Sequence, residues 1–183
     1  MRKLIASINM SLDGFCDHTE MIPDDELLEH FNDLFRKADT ILYGRITYKL
    51  MEDSWPAILK NPTGNKSFDE FAVLIDGISK IVFSNTLKSV EWNNTTLVTE
   101  GLEEEVLKLK RQSGGNILAG SRSIIAALMQ LDLIDEYQLC VQPSVLGKGV
   151  PLFNNIQDRI DLELLKTRTL SSGIVVLHYE PKK

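Results

Sequence analysis

Two short segments combine an apolar run, a glycine and an arginine in the same order. They are LYGRITY (residues 42–48) and NILAGSRS (residues 116–123), and in each a helical pattern opens just after the glycine. A cation is unfavourable at a helix start, where unpaired N–H groups carry partial positive charge, unless an anion binds there. Glycine lets a ligand approach the backbone, while the helix N–H groups and the arginine supply donors and charge. The two segments together predict a site for a pyrophosphate and one further phosphate; the alternative is that each glycine only allows a tight turn and each arginine is solvated.

The phosphate-bearing ligand is not expected to bind as it does in a Rossmann dehydrogenase. The first strand is not followed by G-x-G-x-x-G, and no acid about 20 residues later is placed to hold a ribose. A third segment, IVFSNT (residues 81–86), closes another strand with Ser84 and Asn85. If a dinucleotide binds, the cation Arg45 favours the form that carries an additional 2′-phosphate.

The elements that must position these residues follow the pattern of an α/β sheet with crossover connections. Short apolar runs, as expected of strands buried on both faces, alternate with helical patterns. Strands are predicted at 4–8, 40–43, 80–84, 96–99 and 116–119. Helices are predicted at 24–38, 67–76, 101–112 and 121–131, with a further helix opening at Arg45. Extended segments at 136–147 and 162–180 follow, and the second is predicted to form a hairpin that turns at 171–173, so antiparallel strands finish the sheet.

Composition limits the classes of protein to which the chain can belong. With 183 residues, 43% hydrophobic and 25% charged, it suits one soluble domain spanning residues 1–183. The net charge of −6 disfavours binding to nucleic acid or to a membrane surface, and no signal peptide or membrane span is indicated. Cys16 and Cys140 form no CxxC motif and no metal-binding set with the histidines, and a disulfide between them is disfavoured. A cytoplasmic, reduced and metal-free protein is expected.

Five segments occur in an order that resembles a known family. They are SLDGF (11–15), LYGRITY (42–48), IVFSNT (81–86), NILAGS (116–121) and LIDEYQLCVQPSVLGKGVPLF (133–153). Over nearly the whole chain the set resembles the dihydrofolate reductase-like superfamily, and more closely its bacterial RibD C-terminal branch, the riboflavin-pathway reductase domain. The resemblance implies a three-layer α/β/α fold with a mostly parallel central sheet and antiparallel C-terminal strands. It also implies NADPH as hydride donor and a homodimer.

The resemblance assigns cofactor-binding roles to positions of this sequence. Gly44, Arg45 and Thr47 would hold the adenosine-side phosphates of NADPH, and Ser84 would lie near the adenine and its 2′-phosphate. The pyrophosphate would be held by Gly120, Ser121, Arg122 and Ser123, and the nicotinamide would face the backbone of Ala6 and Ser7. Two departures stand out. Gly120-Ser121 replaces the usual pair of glycines, and EMIPDDELL (20–28) lacks the Asp-Trp pair of close relatives, which bears on substrate recognition.

Two acids are candidates for a catalytic group that delivers a proton during reduction. Asp25 lies two residues after Pro23, as an acid does in dihydrofolate reductases; the alternative is that Asp25 and its neighbour Asp24 only complement the helix start. Asp13 follows the first strand, whose carboxyl end should border the active site, although Asp-Gly is also a common turn pair. Lys148, in a glycine-flanked loop, is the candidate partner for a substrate phosphate; alternatively it is solvated.

The expected function is therefore an NADPH-dependent reductase that transfers hydride to a small heterocyclic or glycosylamine substrate. The nearest expectation is an activity similar to 5-amino-6-(5-phosphoribosylamino)uracil reductase. The alternatives are a dihydrofolate or pteridine reductase and a non-catalytic NADP(H)-binding module.

Overall fold

Eight strands form one sheet in the computed structural model, which describes residues 1–17, 24–154 and 156–182. The strands are β1 (Leu4–Ser11), β2 (Ala38–Gly44), β3 (Ser79–Phe83), β4 (Thr95–Val98), β5 (Asn116–Ala119), β6 (Glu136–Gln142), β7 (Leu162–Thr169) and β8 (Val175–Pro181). Their spatial order is β4-β3-β2-β5-β1-β6-β8-β7. The five strands predicted up to residue 119 are confirmed as β1 to β5.

The sheet is parallel from β4 to β6 and then ends in two antiparallel strands. β6 pairs antiparallel with β8, and β8 pairs antiparallel with β7. The turn between β7 and β8 is closed by Leu170 N, which donates to Ile174 O at 2.8 Å. Gly173 adopts φ +86° in this turn, a conformation that side chains disfavour. Both the mostly parallel sheet and the C-terminal hairpin that the sequence predicts are therefore confirmed.

Five α-helices lie within the described residues, and their positions confirm the predicted helices. They are α1 (Asp25–Arg36), α2 (Arg45–Lys60), α3 (Lys66–Gly77), α4 (Leu102–Arg111) and α5 (Arg122–Gln130). Their ends differ from the predicted ends by no more than a residue or two, as helix ends commonly do. The apolar stripe of α1 faces inward, with Leu27, Leu28, Leu34 and Phe35 buried and Phe31 partly buried.

The helices cover the two faces of the sheet. α4 and α5 pack on one face through residues such as Val106 and Ile125. α1, α2 and α3 pack on the other face, where Phe35 and Ile75 lie in the core. Because side chains alternate along a strand, β1 to β5 contribute to both cores. The expected three-layer α/β/α arrangement is therefore confirmed, and the layer of α1 to α3 is the one that borders the site.

Two further observations concern the chemistry available to the fold. Within the described part of the chain, no helix is both long and apolar enough to cross a membrane. The same residues contain no group of three or more His, Cys, Asp or Glu side chains that could hold a metal ion. Cys16 and Cys140 are buried and free, and burial raises the pKa of each thiol to about 12. Both cysteines therefore behave as protonated core side chains.

Candidate active site

The two glycine-containing junctions lie side by side at the carboxyl ends of β2 and β5. These strands are parallel neighbours, with Leu42 paired to Ala119. Gly44 N, at the end of β2, donates a buried hydrogen bond to Ser121 Oγ at 2.9 Å. Gly120 N donates in turn to Leu42 O at 3.3 Å. The structure thus joins the two segments that the sequence singled out into one continuous backbone surface.

Close approach, rather than turn geometry, explains both glycines. A Cβ atom on Gly44 would lie 2.7 Å from Ser123 Oγ, closer than such atoms pack. A Cβ on Gly120 would lie 3.3 Å from Cε1 of Tyr43, which is tighter than most contacts. Each glycine therefore allows the close packing of side chains where β2 and β5 pass into their helices.

Helices α2 and α5 begin at this surface with their N-terminal N–H groups unoccupied by side chains. Neither helix has a side-chain cap or an acid in its first turn, and their first residues are Arg45 and Arg122. Arg45 is exposed and makes no hydrogen bond or ion pair to other described residues. Arg122 Nη1 lies 3.4 Å from Pro151 O and 3.5 Å from Asn154 Oδ1. Two helix starts and two guanidinium groups are therefore available for an anion.

Ser84 and Thr47 extend the site toward β3. Gly44 pairs with Phe83, so Ser84 follows at the end of the adjacent strand. Ser84 Oγ accepts hydrogen bonds from Thr86 N at 3.2 Å and Leu87 N at 3.1 Å, which orders the turn after β3. Thr47 is buried in the first turn of α2. The sheet order places these residues on the β3 side of the two arginine junctions.

On the other side of the junctions, β1 presents an unpaired edge. β5 pairs with β1 only as far as Ala6, which lies opposite Ala119. β1 continues beside β6 to Ser11 without a β5 partner. From Ser7 onward the β1 backbone therefore borders a gap next to Gly120. A planar amide-bearing group can hydrogen-bond to backbone groups at such an edge.

A cavity of about 410 Å³ opens between this edge and helices α1 to α3. Its walls are mainly apolar and include Phe31, Met51 and Trp55. The Oγ of Ser7 and the Oδ1 of Asn9 are buried there without a hydrogen-bonding partner. Side chains alternate along β1, so these two residues point to the same face of the sheet. Such a pocket, apolar with a few polar groups, is typical of a small-molecule site.

Asp13 lies outside the lining of the cavity, in the loop after β1. It is exposed, and its carboxylate accepts hydrogen bonds from Ser11 Oγ at 2.6 Å and from Gly147 N at 2.8 Å. The bonds from Ser11 and from the backbone of Gly147 and Leu146 lower the pKa of Asp13 below its usual value. This acid therefore ties two loops together, and its catalytic role stays a prediction.

Asp25 also lies outside the cavity lining, while its neighbour caps the helix. Asp25 is exposed and accepts a hydrogen bond from Asn65 Nδ2 at 2.7 Å. Asp24 Oδ1 accepts from Leu27 N at 2.6 Å, which satisfies the first turn of α1. Pro23, from which the spacing to Asp25 was counted, lies outside the described residues. A catalytic role for Asp25 likewise stays a prediction.

A known protein family matches nearly the whole chain. The family model of the RibD C-terminal domain matches residues 2–176. The chain belongs to the RibD C-terminal domain family. The uncharacterized protein YyaP of Bacillus subtilis (strain 168) is 34% identical over 182 residues, covering 97% of this chain and 94% of that protein.

Solved structures share the fold of this RibD C-terminal domain. A putative riboflavin biosynthesis protein from Shewanella sp. PV-4 has a TM-score of 0.75 at 22% identity, covering 99% of both chains. Dihydrofolate reductase from Enterococcus faecalis, complexed with NADP(H) and RAB-propyl, has a TM-score of 0.65 at 14% identity, covering 99% of this chain and 97% of that one. At these identities the likeness shows a dihydrofolate reductase-like fold, as the sequence predicts.

Sequence reasoning missed two features of this RibD C-terminal domain. The first is Asn9, whose signal was present: Ser7, Asn9 and Ser11 are polar at alternate positions of β1, and the residues between them are apolar. The second is Tyr43, which lines the cavity at the end of β2. Complete burial raises the pKa of Tyr43, so its phenol remains protonated. A short run such as Ile41-Leu42-Tyr43 gives no sign of which side chain will face a cavity.

Proposed function

We propose that this chain is an NADPH-dependent reductase that transfers hydride to a small heterocyclic or glycosylamine substrate. The observation that carries the proposal is the contact of the two helix starts, through Gly44 N and Ser121 Oγ, beside the unpaired edge of β1. Anion-binding N–H groups and an open backbone edge thus lie along one end of a mostly parallel sheet, where ligands of such sheets bind. NADPH, when bound, supplies the hydride.

The residues of the site fit an extended dinucleotide. Arg45, with Thr47 and Ser84 nearby, would hold the adenosine end and its 2′-phosphate, because Arg45 is exposed and has no partner among the described residues. Residues 120–123 would hold the pyrophosphate with the N–H groups of α5 and the guanidinium of Arg122. The backbone of residues 6–7 would orient the nicotinamide toward the cavity.

The cavity would exclude water from the substrate and hold it beside β1. None of its described lining residues is a carboxylic acid, so hydroxyl groups are the protic side chains at hand. Ser7 and Tyr43 are the buried ones, and the raised pKa of Tyr43 keeps its phenol protonated. These groups can hold a hydrogen bond to the atom that receives the proton.

The central test measures the preference for NADPH over NADH through the fluorescence of the bound nicotinamide. We expect wild type to bind NADPH more tightly, and Arg45→Ala to weaken NADPH binding about tenfold to a hundredfold while NADH changes less than about threefold. Lys49→Ala is the matched control, because Lys49 lies one turn further along α2 and pairs with Glu52. Equal losses for both cofactors would contradict the assignment of Arg45 to the 2′-phosphate.

A non-catalytic NADP(H)-binding module is the second candidate. It is favoured by the lack of a carboxylate among the described residues of the cavity wall. Oxidation of NADPH should be followed with pyrimidine, pterin and folate substrates. Tight binding of NADPH with no oxidation by any of them would favour the module, and turnover with one of them would favour the reductase.

A further inference from the structure

We infer that Tyr48 is a positioning residue for the adenosine end of the cofactor. Its buried hydroxyl holds the segment that follows β3, residues 84–92, against α2 and thereby keeps Ser84 in a fixed position relative to Arg45. The inference rests on the proposed function, since Arg45 and Ser84 are the residues proposed to hold the adenosine end and its 2′-phosphate. It adds a residue that acts on the cofactor through these two.

The hydroxyl of Tyr48 joins α2 to the segment 84–92 by three hydrogen bonds. Tyr48 lies in the first turn of α2, and its side chain is completely buried. Its Oη accepts from the backbone N–H groups of Glu91 and Trp92, each at 3.2 Å, and donates to Glu52 Oε1 on the next turn of α2. A hydroxyl has one proton to donate and can accept two, so these three bonds use its whole capacity. The group therefore serves as a junction within the protein, and it does not offer a bond to a ligand.

The segment 84–92 needs such a junction because it lacks regular structure. Residues 84–92, all of which the structure describes, form neither helix nor strand, and they connect the end of β3 to the start of β4. At the site end of the segment, Ser84 N donates to Val98 O at 3.0 Å. At its other end, the indole Nε1 of Trp92 donates to Asp76 Oδ1 of α3 at 2.8 Å. Tyr48 adds the tie to α2, the helix that begins with Arg45.

The position of this tie relates it to the adenosine end rather than to the sheet. Gly44 pairs with Phe83, so Arg45 and Ser84 each follow directly after two paired positions of adjacent strands. Tyr48 lies about one helical turn after Arg45. The pairing of β2 with β3 does not involve Tyr48, so loss of the tie would release the segment that leads away from Ser84 while the sheet stays paired. Affinity should then be lost at the adenosine end of the cofactor and kept at its nicotinamide end.

The first test compares the two halves of the cofactor in Tyr48→Phe, which removes the hydroxyl and keeps the ring. In calorimetry on the full chain, adenosine 2′,5′-bisphosphate should bind about tenfold more weakly than to wild type, and NADPH should be weakened by a similar factor. The affinity for reduced nicotinamide mononucleotide should stay within about twofold of wild type. Equal weakening of both halves, or weakening of neither, would overturn the inference.

Thr40→Val is the matched control for lost stability. Thr40 also carries a buried hydroxyl, which accepts a hydrogen bond from Arg2 Nη2 at 2.9 Å, but it lies toward the amino end of β2, away from the site. This variant should have a lower thermal midpoint and unchanged affinity for both halves of the cofactor. If Thr40→Val weakened the bisphosphate as much as Tyr48→Phe does, the effect would belong to stability and the inference would be wrong.

Two further measurements test whether Tyr48 acts through the segment. The backbone N–H groups of Glu91 and Trp92 should exchange with solvent about tenfold faster in Tyr48→Phe. In a Ser84→Ala background, Tyr48→Phe should weaken the bisphosphate by only about twofold to threefold, because residues that act together are not additive. Unchanged exchange, or full additivity of the two substitutions, would contradict positioning through Ser84.

Failure of the inference is distinguishable from failure of the proposed function. If wild type binds neither NADPH nor adenosine 2′,5′-bisphosphate, the proposed function fails and the inference fails with it. If wild type binds both and Tyr48→Phe binds the bisphosphate equally well, the proposed function stands and the inference alone is wrong.

Discussion

The five described helices begin in two different ways. α1 and α3 begin with capping side chains, Asp24 and Asn65, and α4 carries three acids in its first turn at 103–105. α2 and α5 have neither a cap nor an acid there and begin with Arg45 and Arg122. Side chains cap α1 and α3 and acids complement the start of α4, whereas the starts of α2 and α5 have neither a side-chain cap nor an acid beside them. Under the proposed function, this difference separates helices whose starts are stabilised within the fold from helices whose starts bind a ligand.

The largest expected effect is a change in stability that depends on His30, on the buried side of α1, and that leaves NADPH binding unchanged. His30 is buried with Nε2 unpartnered, and burial lowers its pKa to about 4; the neighbouring charges that act on it include His178, Arg168, Lys166 and Asp33. The folded state therefore favours neutral His30, and the unfolded chain binds more protons between pH 4 and the ordinary pKa near 6.5. We expect stability to fall as the pH drops through this window, by on the order of 2–3 kcal/mol.

Denaturant unfolding of wild type and His30→Leu at several pH values isolates this effect from the titrating carboxylates. As the pH falls from about 6.5 to about 4, the free energy of unfolding should fall more in wild type than in His30→Leu. NADPH affinity at neutral pH should be alike in both. Parallel loss of stability in the two proteins would contradict a buried neutral His30.

The next prediction concerns a variant that gives α2 an acidic start like that of α4. Ile46 is the second residue of α2 and is 72% exposed, and Glu103 holds the same position in the acidic start of α4. Ile46→Glu should stabilise the fold by about 0.3–1 kcal/mol through the helix dipole. It should weaken NADPH binding by about tenfold, because the new carboxylate repels the phosphates.

The reciprocal variant Glu103→Ile is the control for this exchange. It should lower the thermal midpoint slightly and leave NADPH affinity unchanged. Thermal unfolding of both variants measures the change in stability, and cofactor titration measures the change in NADPH affinity. Unchanged NADPH affinity in Ile46→Glu would show that the start of α2 is not a phosphate site.

Much of the fold could be predicted because the signals are local. The five apolar runs and the stripe of α1 specify strands and a helix within a few residues of their ends. The contact of Gly44 N with Ser121 Oγ could not be predicted, since 77 residues separate its partners and only the strand order brings them together. The sequence predicts that both junctions suit phosphate, and the structure shows that they lie side by side.

The substrate side was harder to predict for a physical reason. Leu28 and Phe31 belong to the apolar stripe of α1 that packs with the core, yet both also line the cavity. A core and an apolar pocket select the same side chains, so periodicity cannot separate them. The sequence likewise does not indicate whether Asp24 or Asp25 caps α1, because capping depends on the extended backbone of Asp24, with φ −121° and ψ 168°.

The smallest expected effect tests whether Asp24 caps α1. Asp24→Ala removes the bond from Leu27 N to Asp24 Oδ1, and loss of such a cap costs about 1 kcal/mol. Asp24→Asn keeps the acceptor and should lose less, so thermal unfolding should rank Asn between wild type and Ala. NADPH affinity should be the same in all three proteins, because α1 offers its first turn to its own side chain rather than to an anion. If Asp24→Ala instead kept its thermal midpoint and lost NADPH, the start of α1 would belong with those of α2 and α5, and the division between the two groups of helices would fail.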